Sequence, residues 1–298
     1  MTVLALCGMT GCATDSTGAS DVTVLRVESA SDATTVSSLD PAADATTVPS
    51  LDPLPESPSA TSAPEPSSDV STSTTLAKTL AEARVLLVGD STLLATASYD
   101  TVEAFTGYES VLEVASCRTL GVPSCGEGPP TNTVEVIQAA EGTFDVVVVM
   151  AGYDEWWTTF PSSFEAVVSS SRAKGASHIL WLTFREGVGY IAPDGSEANE
   201  AFVKNNITLR ERSTSGDYDD VVVADWNTYS ARGEGWLTRD GIHLTRTGAY
   251  GAADYISRHI AHLYDAPCPA RTPDDPGDIC PNPDTLSELP DLDDLYDL

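Results

Sequence analysis

Between Ala77 and Tyr264, five short apolar runs alternate with stretches of helix length, the rhythm of a domain that interleaves strands and helices. The runs are Arg84 to Val88, Val111 to Ala115, Phe144 to Met150, His178 to Thr183 and Val221 to Ala224, each of strand length. Thr131 to Ala140, Phe164 to Lys174 and Glu197 to Arg212 lie between them, and Arg246 to Leu263 follows the last. These four segments have helix-compatible lengths and polar faces. The pattern predicts an α/β domain over 77–264: a parallel sheet with helices on both sides and a ligand site at the carboxyl ends of the strands.

The flanks have a different composition. Residues 13–76 are dominated by Ser, Thr, Ala, Pro and Asp, and DATTVSSLDPAA (32–43) recurs almost unchanged as DATTVPSLDPLP (44–55). Such a segment buries too little apolar surface to offset the backbone entropy of ordering, so it reads as a disordered linker. Its ten acidic residues face only Arg26, and the ten in the Pro-rich tail 265–298 face only Arg271. Each flank thus carries −9 of the chain's −30, leaving −12 for the rest. The acidity reads as solvation and repulsion, and it excludes a protein that binds nucleic acid by neutralising phosphates. No apolar run reaches the roughly 18 residues that a membrane-spanning helix needs, so no transmembrane span is expected.

Residues 1–12 form an apolar start with no preceding Lys or Arg, and Gly11-Cys12 resembles a bacterial lipoprotein processing site. Two readings stand: a truncated export signal with Cys12 lipidated, or an unprocessed end. Cys117 with Cys125 and Cys268 with Cys280 form two close pairs around Pro and Gly, and both read as disulfide loops, with free thiols as the alternative. Disulfides fit an extracytoplasmic protein, secreted or anchored to the cell envelope. No metal-ligand set and no phosphate-cradling Gly loop stands out, because the glycines near Gly126 and Gly233 lack a strand-to-helix setting. Neither cofactor nor metal is expected.

In LLVGDS (86–91) a buried strand ends in Gly and delivers Ser91 to the start of the next helix, where first-turn amides face any charge developing beside it. Asp90 or Ser91 serving only as a helix cap is the plainer alternative. Far along the chain, DGIH (240–243) places Asp240 three residues before His243, directly ahead of the last helix. That spacing lets a carboxylate reach imidazole Nδ1–H and leaves Nε2 to take a proton from Ser91, provided that the two loops converge.

VLLVGDST, ASCRTLGVPSC, VVVVMAGYDEWW, ILWLTFRE and DGIHLTRTGAYGAADYI, taken in this order over about 84–261, resemble the SGNH or GDSL-type hydrolases, in particular an exported actinobacterial-type esterase-like branch. The resemblance implies a flavodoxin-like three-layer α/β/α fold with a five-stranded parallel sheet. It also implies Ser91 as nucleophile and oxyanion donor, His243 as general base and Asp240 as its orienter. Two further oxyanion positions depart from the family pattern: Cys117 stands where a Gly amide is usual, and Asp154 of GYDE (152–155) stands where an Asn side chain donates. An ionised carboxylate has no proton to give and repels the oxyanion, on top of the roughly 10²- to 10³-fold in rate that one lost donor costs. Three outcomes stay open for Asp154: a neutral carboxyl raised by burial and by Glu155, a slow enzyme using two amides, or a contact for a polar or cationic substrate group.

Trp156 and Trp157 are candidate stacking surfaces for a sugar, with core cover as the alternative. Tyr153, Arg118 and Arg185 are candidate cleft-lining residues, His178 reads as structural, and His259 and His262 read as surface residues. The expected function is an exported serine esterase acting on a small-molecule or glycan ester, without cofactor. A catalytically impaired ligand- or carbohydrate-binding module and a glycan O-acyltransferase are the alternatives.

Overall fold

The computed structural model describes residues 22–24, 78–123, 131–189, 198–269, 277–292 and 296. Most of the linker 13–76, together with Cys12 and Cys125, lies outside them.

Strands β1 (Val22–Val24), β2 (Arg84–Gly89), β3 (Glu109–Val114), β4 (Val146–Met150), β5 (His178–Leu182) and β6 (Val221–Ala224) form one sheet in the order β1-β3-β2-β4-β5-β6. All pairings are parallel. The five strands expected from the apolar runs are β2 to β6, and their order is the flavodoxin-like 2-1-3-4-5. The three residues of β1 add an edge strand beside β3, from within the stretch read as linker. Val-Thr-Val is β-branched throughout and suits a sheet edge.

Alternation along β2 sorts side chains to the two faces: Val85 and Leu87 join one apolar cluster, Leu86 and Val88 the other. Helices α1 (Ser91–Ser98) and α6 (Arg246–Leu263) contribute to the first cluster through Leu93, Ala253, Ile256 and Ile260. The second takes Ile137 from α2 (Thr133–Ala139), Phe164 and Val167 from α3 (Phe160–Ala173), and Phe202 and Leu209 from α4 (Ala198–Ser213). The result is a three-layer α/β/α fold. Helix α3 starts four residues earlier than the polarity pattern suggests, since Pro161 suits a first turn where no amide partner is needed. A short helix, α5 (Trp226–Ser230), follows β6.

The order reverses at β2, because the chain passes from β2 to β3 on one side and then to β4 on the other. The crevice outside the carboxyl ends of β2, β3 and β4 is therefore where a ligand site belongs. At the end of β2, a Cβ on Gly89 would lie 2.2 Å from Leu93 Cβ, so only glycine lets α1 start this close to the strand.

The tail departs from its reading as a solvated acidic flank. Its described part is seated on the α6 face: Leu292 is buried, and Leu289 and Tyr296 pack against the first cluster. Tyr296 Oη donates to Asp254 Oδ1 at 3.3 Å, beside the buried Arg258 Nε–Asp254 ion pair of 2.6 Å. Asp284 accepts from Tyr255 Oη and from the Asp225 amide at 3.1 Å. Leu289 and Leu292, three residues apart, supply the apolar contacts that the charge count conceals. Cys268 and Cys280 are disulfide-bonded, next to an antiparallel bridge between Pro267 and Ile279. His259, read as a surface residue, is buried: its ring meets Tyr255 edge-on and its Nε2 lies 3.4 Å from Asp284. His262 is half-buried, with Nδ1 3.0 Å from the Cys280 carbonyl. Among the described residues no helix is long and apolar enough to cross a membrane.

Candidate active site

Asp90 caps α1 by accepting from the Thr92 amide at 2.9 Å, so the capping role falls to Asp90 and Ser91 occupies the first helical position with its hydroxyl uncommitted to the cap. The opposing loop is a tight turn built on Asp240. Its Oδ1 accepts from Thr238 Oγ1 at 2.7 Å, the Ile242 amide at 2.9 Å and the His243 amide at 3.1 Å. Gly241 supplies the left-handed residue of that turn (φ +77°), where a Cβ would also press to 2.9 Å from Val188. A bridge between Leu237 and Leu244 closes the loop, and buried Ile242 anchors it in the second cluster.

Folded this way, the loop brings His243 Nδ1 to 2.7 Å from Asp240 Oδ2 and His243 Nε2 to 3.0 Å from Ser91 Oγ, across 152 positions of sequence. Burial works against the Asp240 charge, but hydrogen bonds from the His243 ring, the Ile242 amide, Thr238 and the His243 amide outweigh it and hold this carboxyl well below the usual range. An ionised carboxylate only accepts, so Nδ1 carries the proton. In the neutral ring Nε2 is then the acceptor, and Ser91 Oγ–H donates to it. The arrangement can draw a proton from the hydroxyl as it attacks.

Ser91 and His243 open onto a cleft of about 260 Å³ that is also lined by Ser116, Cys117, Tyr153, Asp154 and Ile242. Both residues at the altered oxyanion positions therefore border the same space as the hydroxyl. Cys117 is disulfide-bonded and has a left-handed backbone (φ +58°), a conformation that glycine adopts more readily than cysteine. The Asp154 pKa is raised above its ordinary value by the desolvation its surroundings impose, against the pull of His243, although the residue is exposed at the mouth of the cleft. Glu155 plays no part in that shift and sits away from the cleft. It is buried, with Oε2 accepting from the Leu120 amide at 3.0 Å and Oε1 from Thr159 Oγ1 at 2.6 Å and Ser163 Oγ at 2.9 Å. Of the three outcomes open for Asp154, the neutral carboxyl raised by burial and by Glu155 loses its Glu155 part, because adjacent residues of this turn point to different surroundings.

Trp156 and Trp157 do not line the cleft. They are about 40% and 37% exposed, and the Trp157 ring carries Lys204 Nζ at 3.8 Å from its centroid. Of the other candidates, Tyr153 borders the cleft with its hydroxyl accepting from the Arg185 amide at 2.8 Å. Arg185 turns to Asn227 Oδ1 at 3.0 Å, and Arg118 is buried behind the cleft. His178 is half-buried at the start of β5, where burial lowers its pKa against the charge of Asp220. Asp90 is the residue whose importance spacing alone conceals. Besides capping α1, its Oδ2 accepts from the amides of Gly152 at 2.9 Å and Tyr153 at 3.1 Å, joining the Ser91 helix to the turn that bears Asp154. Among the described residues no group of three or more His, Cys, Asp or Glu side chains is placed to hold a metal ion.

The three-layer α/β/α fold is the one that the SGNH resemblance implies. No family model matches the chain, and no curated protein matches it. Solved structures do. The catalytic domain of Streptococcus pneumoniae peptidoglycan O-acetyltransferase A is similar at 20% identity over 59% of this chain and 91% of that one, with a TM-score of 0.44. The aryl esterase of Mycobacterium smegmatis is similar at 16% identity over 60% and 98%, with a TM-score of 0.45. Est24, a carbohydrate acetylesterase from Sinorhizobium meliloti, is similar at 16% identity over 61% and 100%, with a TM-score of 0.47.

Proposed function

We propose that this chain is an SGNH-type serine esterase whose nucleophile is Ser91. The observation that carries the reading is the continuous hydrogen-bonded line from Ser91 Oγ through both nitrogens of His243 to Asp240. As Ser91 Oγ attacks an ester carbonyl, its proton passes to His243 Nε2, and ionised Asp240 stabilises the imidazolium through Nδ1–H. The imidazolium then protonates the departing alkoxide, leaving an acyl-serine. Water deprotonated by His243 releases the acid and restores the serine. The Ser91 and Cys117 amides are the proposed oxyanion donors, with ionised Asp154 weakening the hole.

The cleft volume suits a small acyl group, and the esters envisaged are small molecules or acylated glycans. The same acyl-serine serves a glycan O-acyltransferase when an acceptor hydroxyl replaces water. Asp154 at the cleft favours a second reading, a binding module on the same fold with little turnover. The disulfides at Cys117 and Cys268–Cys280 support an extracytoplasmic location. The envelope anchor proposed at Cys12 is tested by mass analysis of protein recovered from its native source, where an unmodified Cys12 removes it.

The functional test offers p-nitrophenyl acetate to the purified protein with and without a glycan acceptor. Release of p-nitrophenol that vanishes in Ser91→Ala supports the esterase. Acetylated glycan in the product identifies transfer. Glycan binding without turnover identifies the binding module.

A further inference from the structure

The Asp154 carboxylate borders the same cleft of about 260 Å³ as Ser91 and His243, and among the described residues no hydrogen bond or ion pair engages it. The other acids around the site are all engaged: Asp240 by its own turn and the imidazole, Glu155 by buried donors, and Asp90 by the amides of Thr92, Gly152 and Tyr153. No Lys or Arg lines the cleft to neutralise Asp154. Arg118 Nη1 donates to the Glu113 carbonyl at 2.6 Å, and Arg185 Nη1 to the Glu186 carbonyl at 2.8 Å and to Asn227 Oδ1 at 3.0 Å. His243 is neutral while its Nε2 accepts from Ser91. The space that an acyl group enters therefore holds one uncompensated negative charge, on a chain whose formal charge of −30 draws cations towards it.

Such a charge hinders a neutral ester, whose carbonyl oxygen turns negative as Ser91 attacks. It has the opposite effect on an ester that brings a cation to the same place. In an ester of an α-amino acid the ammonium stands on the carbon next to the carbonyl, and standard bond lengths put its nitrogen about 2.8 Å from the carbonyl oxygen when the two eclipse. An ammonium held there by Asp154 lays positive charge beside the developing oxyanion, so the acid that repels a neutral substrate anchors this one. An uncharged acyl group of the same size offers nothing to either charge.

We propose that Asp154 selects esters of small α-amino acids, pairing with the substrate's ammonium while Ser91 attacks the neighbouring carbonyl. This inference rests on the esterase reading above. Ser91 Oγ bonds to the carbonyl carbon as its proton passes to His243, and the bond to the alcohol oxygen breaks as that oxygen takes the proton. Water then cleaves the aminoacyl-serine and releases the amino acid. The ammonium keeps its protons throughout, and water is the only co-reactant. The volume of the cleft limits the acyl part to a small residue.

The test compares glycine ethyl ester with ethyl propionate, in which a methyl group replaces the ammonium, using release of ethanol by the full chain as readout and Ser91→Ala as the blank. An ammonium also makes an ester more reactive by itself, so the quantity to follow is the change in the ratio of the two kcat/KM values between wild type and Asp154→Asn, from which that reactivity cancels. Asp154→Asn is expected to lower kcat/KM about tenfold or more for glycine ethyl ester and to raise it for ethyl propionate, a swing of about a hundredfold in the ratio. Asp154→Ala, run beside it, swings the ratio in the same direction. A ratio that moves less than about threefold in both variants, including an equal loss on the two esters, overturns the proposal. Ser91-dependent turnover of p-nitrophenyl acetate beside such an unmoved ratio leaves the esterase reading standing, whereas absence of Ser91-dependent turnover of any ester is failure of that reading. In that case the pairing is read from binding of the two ethyl esters, titrated by NMR. Glycine ethyl ester bound about tenfold tighter, with the difference lost in Asp154→Asn, supports the cation site, and equal affinities refute it.

Discussion

The two walls of the cleft are made differently. One wall, Ile242 and His243, belongs to a single turn whose Asp240 carboxylate takes three hydrogen bonds from its own neighbourhood before it reaches the imidazole. The other wall collects residues from the ends of β3 and β4, with Cys117 in a left-handed backbone and the exposed Asp154 at the mouth, its pKa raised by desolvation. The first wall keeps the residues that proton transfer requires. The second carries an acid, Asp154, at the position where the resemblance implies a neutral donor.

That contrast sets an order of effects. Ser91→Ala breaks the relay at its source and is expected to remove about 10⁶-fold of kcat on p-nitrophenyl acetate. Asp240→Asn leaves the turn's size but reverses the preference for a proton on Nδ1, and should cost about 10⁴-fold in the same assay. A loss below tenfold in either would mean that the relay wall is not the chemical one. Asp154→Asn acts on the other wall in the opposite direction: turnover at neutral pH should rise by about ten- to a hundredfold. Turnover that stays level or falls would show that the carboxylate is used and does not hinder.

The pH dependence of that third effect follows from the raised pKa of Asp154. The folded protein holds this proton more tightly than the unfolded chain, so ionisation disfavours the fold as pH rises through the carboxylate range. The ratio of Asn variant to wild type in turnover, and any gain in melting temperature, should be largest at neutral pH and shrink towards acid. Asp240 has the reverse sign. Its depressed folded pKa gives stability that is complete above the unfolded value and lost only as pH falls towards the folded one. The smallest effect belongs to the rim: Trp157→Ala should change hydrolysis of p-nitrophenyl acetate by less than about twofold, because the ring lies outside the cleft. A larger change would extend the site to the aromatic pair.

Much of this was legible in particular residues. The apolar runs marked β2 to β6, and Arg246 to Leu263 is helical over the span read from the sequence. The DGIH spacing gave the turn, since a carboxylate three positions before an imidazole closes by local hydrogen bonds. Spacing did not separate Asp154 from Glu155, neighbours in sequence whose side chains meet a cleft and a set of buried donors respectively. Nor did charge counting reveal that Leu289, Leu292 and Tyr296 seat the tail.

Local order in this protein follows from the chain alone: periodicity sets which segments are strands, glycine sets where α1 can approach β2, and a three-residue interval sets the carboxylate–imidazole pair. The reach of Nε2 to Ser91, the burial of Asp90, and the environment of Asp154 belong to the tertiary structure. Each depends on which distant segments exclude water from one another, and no interval along the chain encodes that.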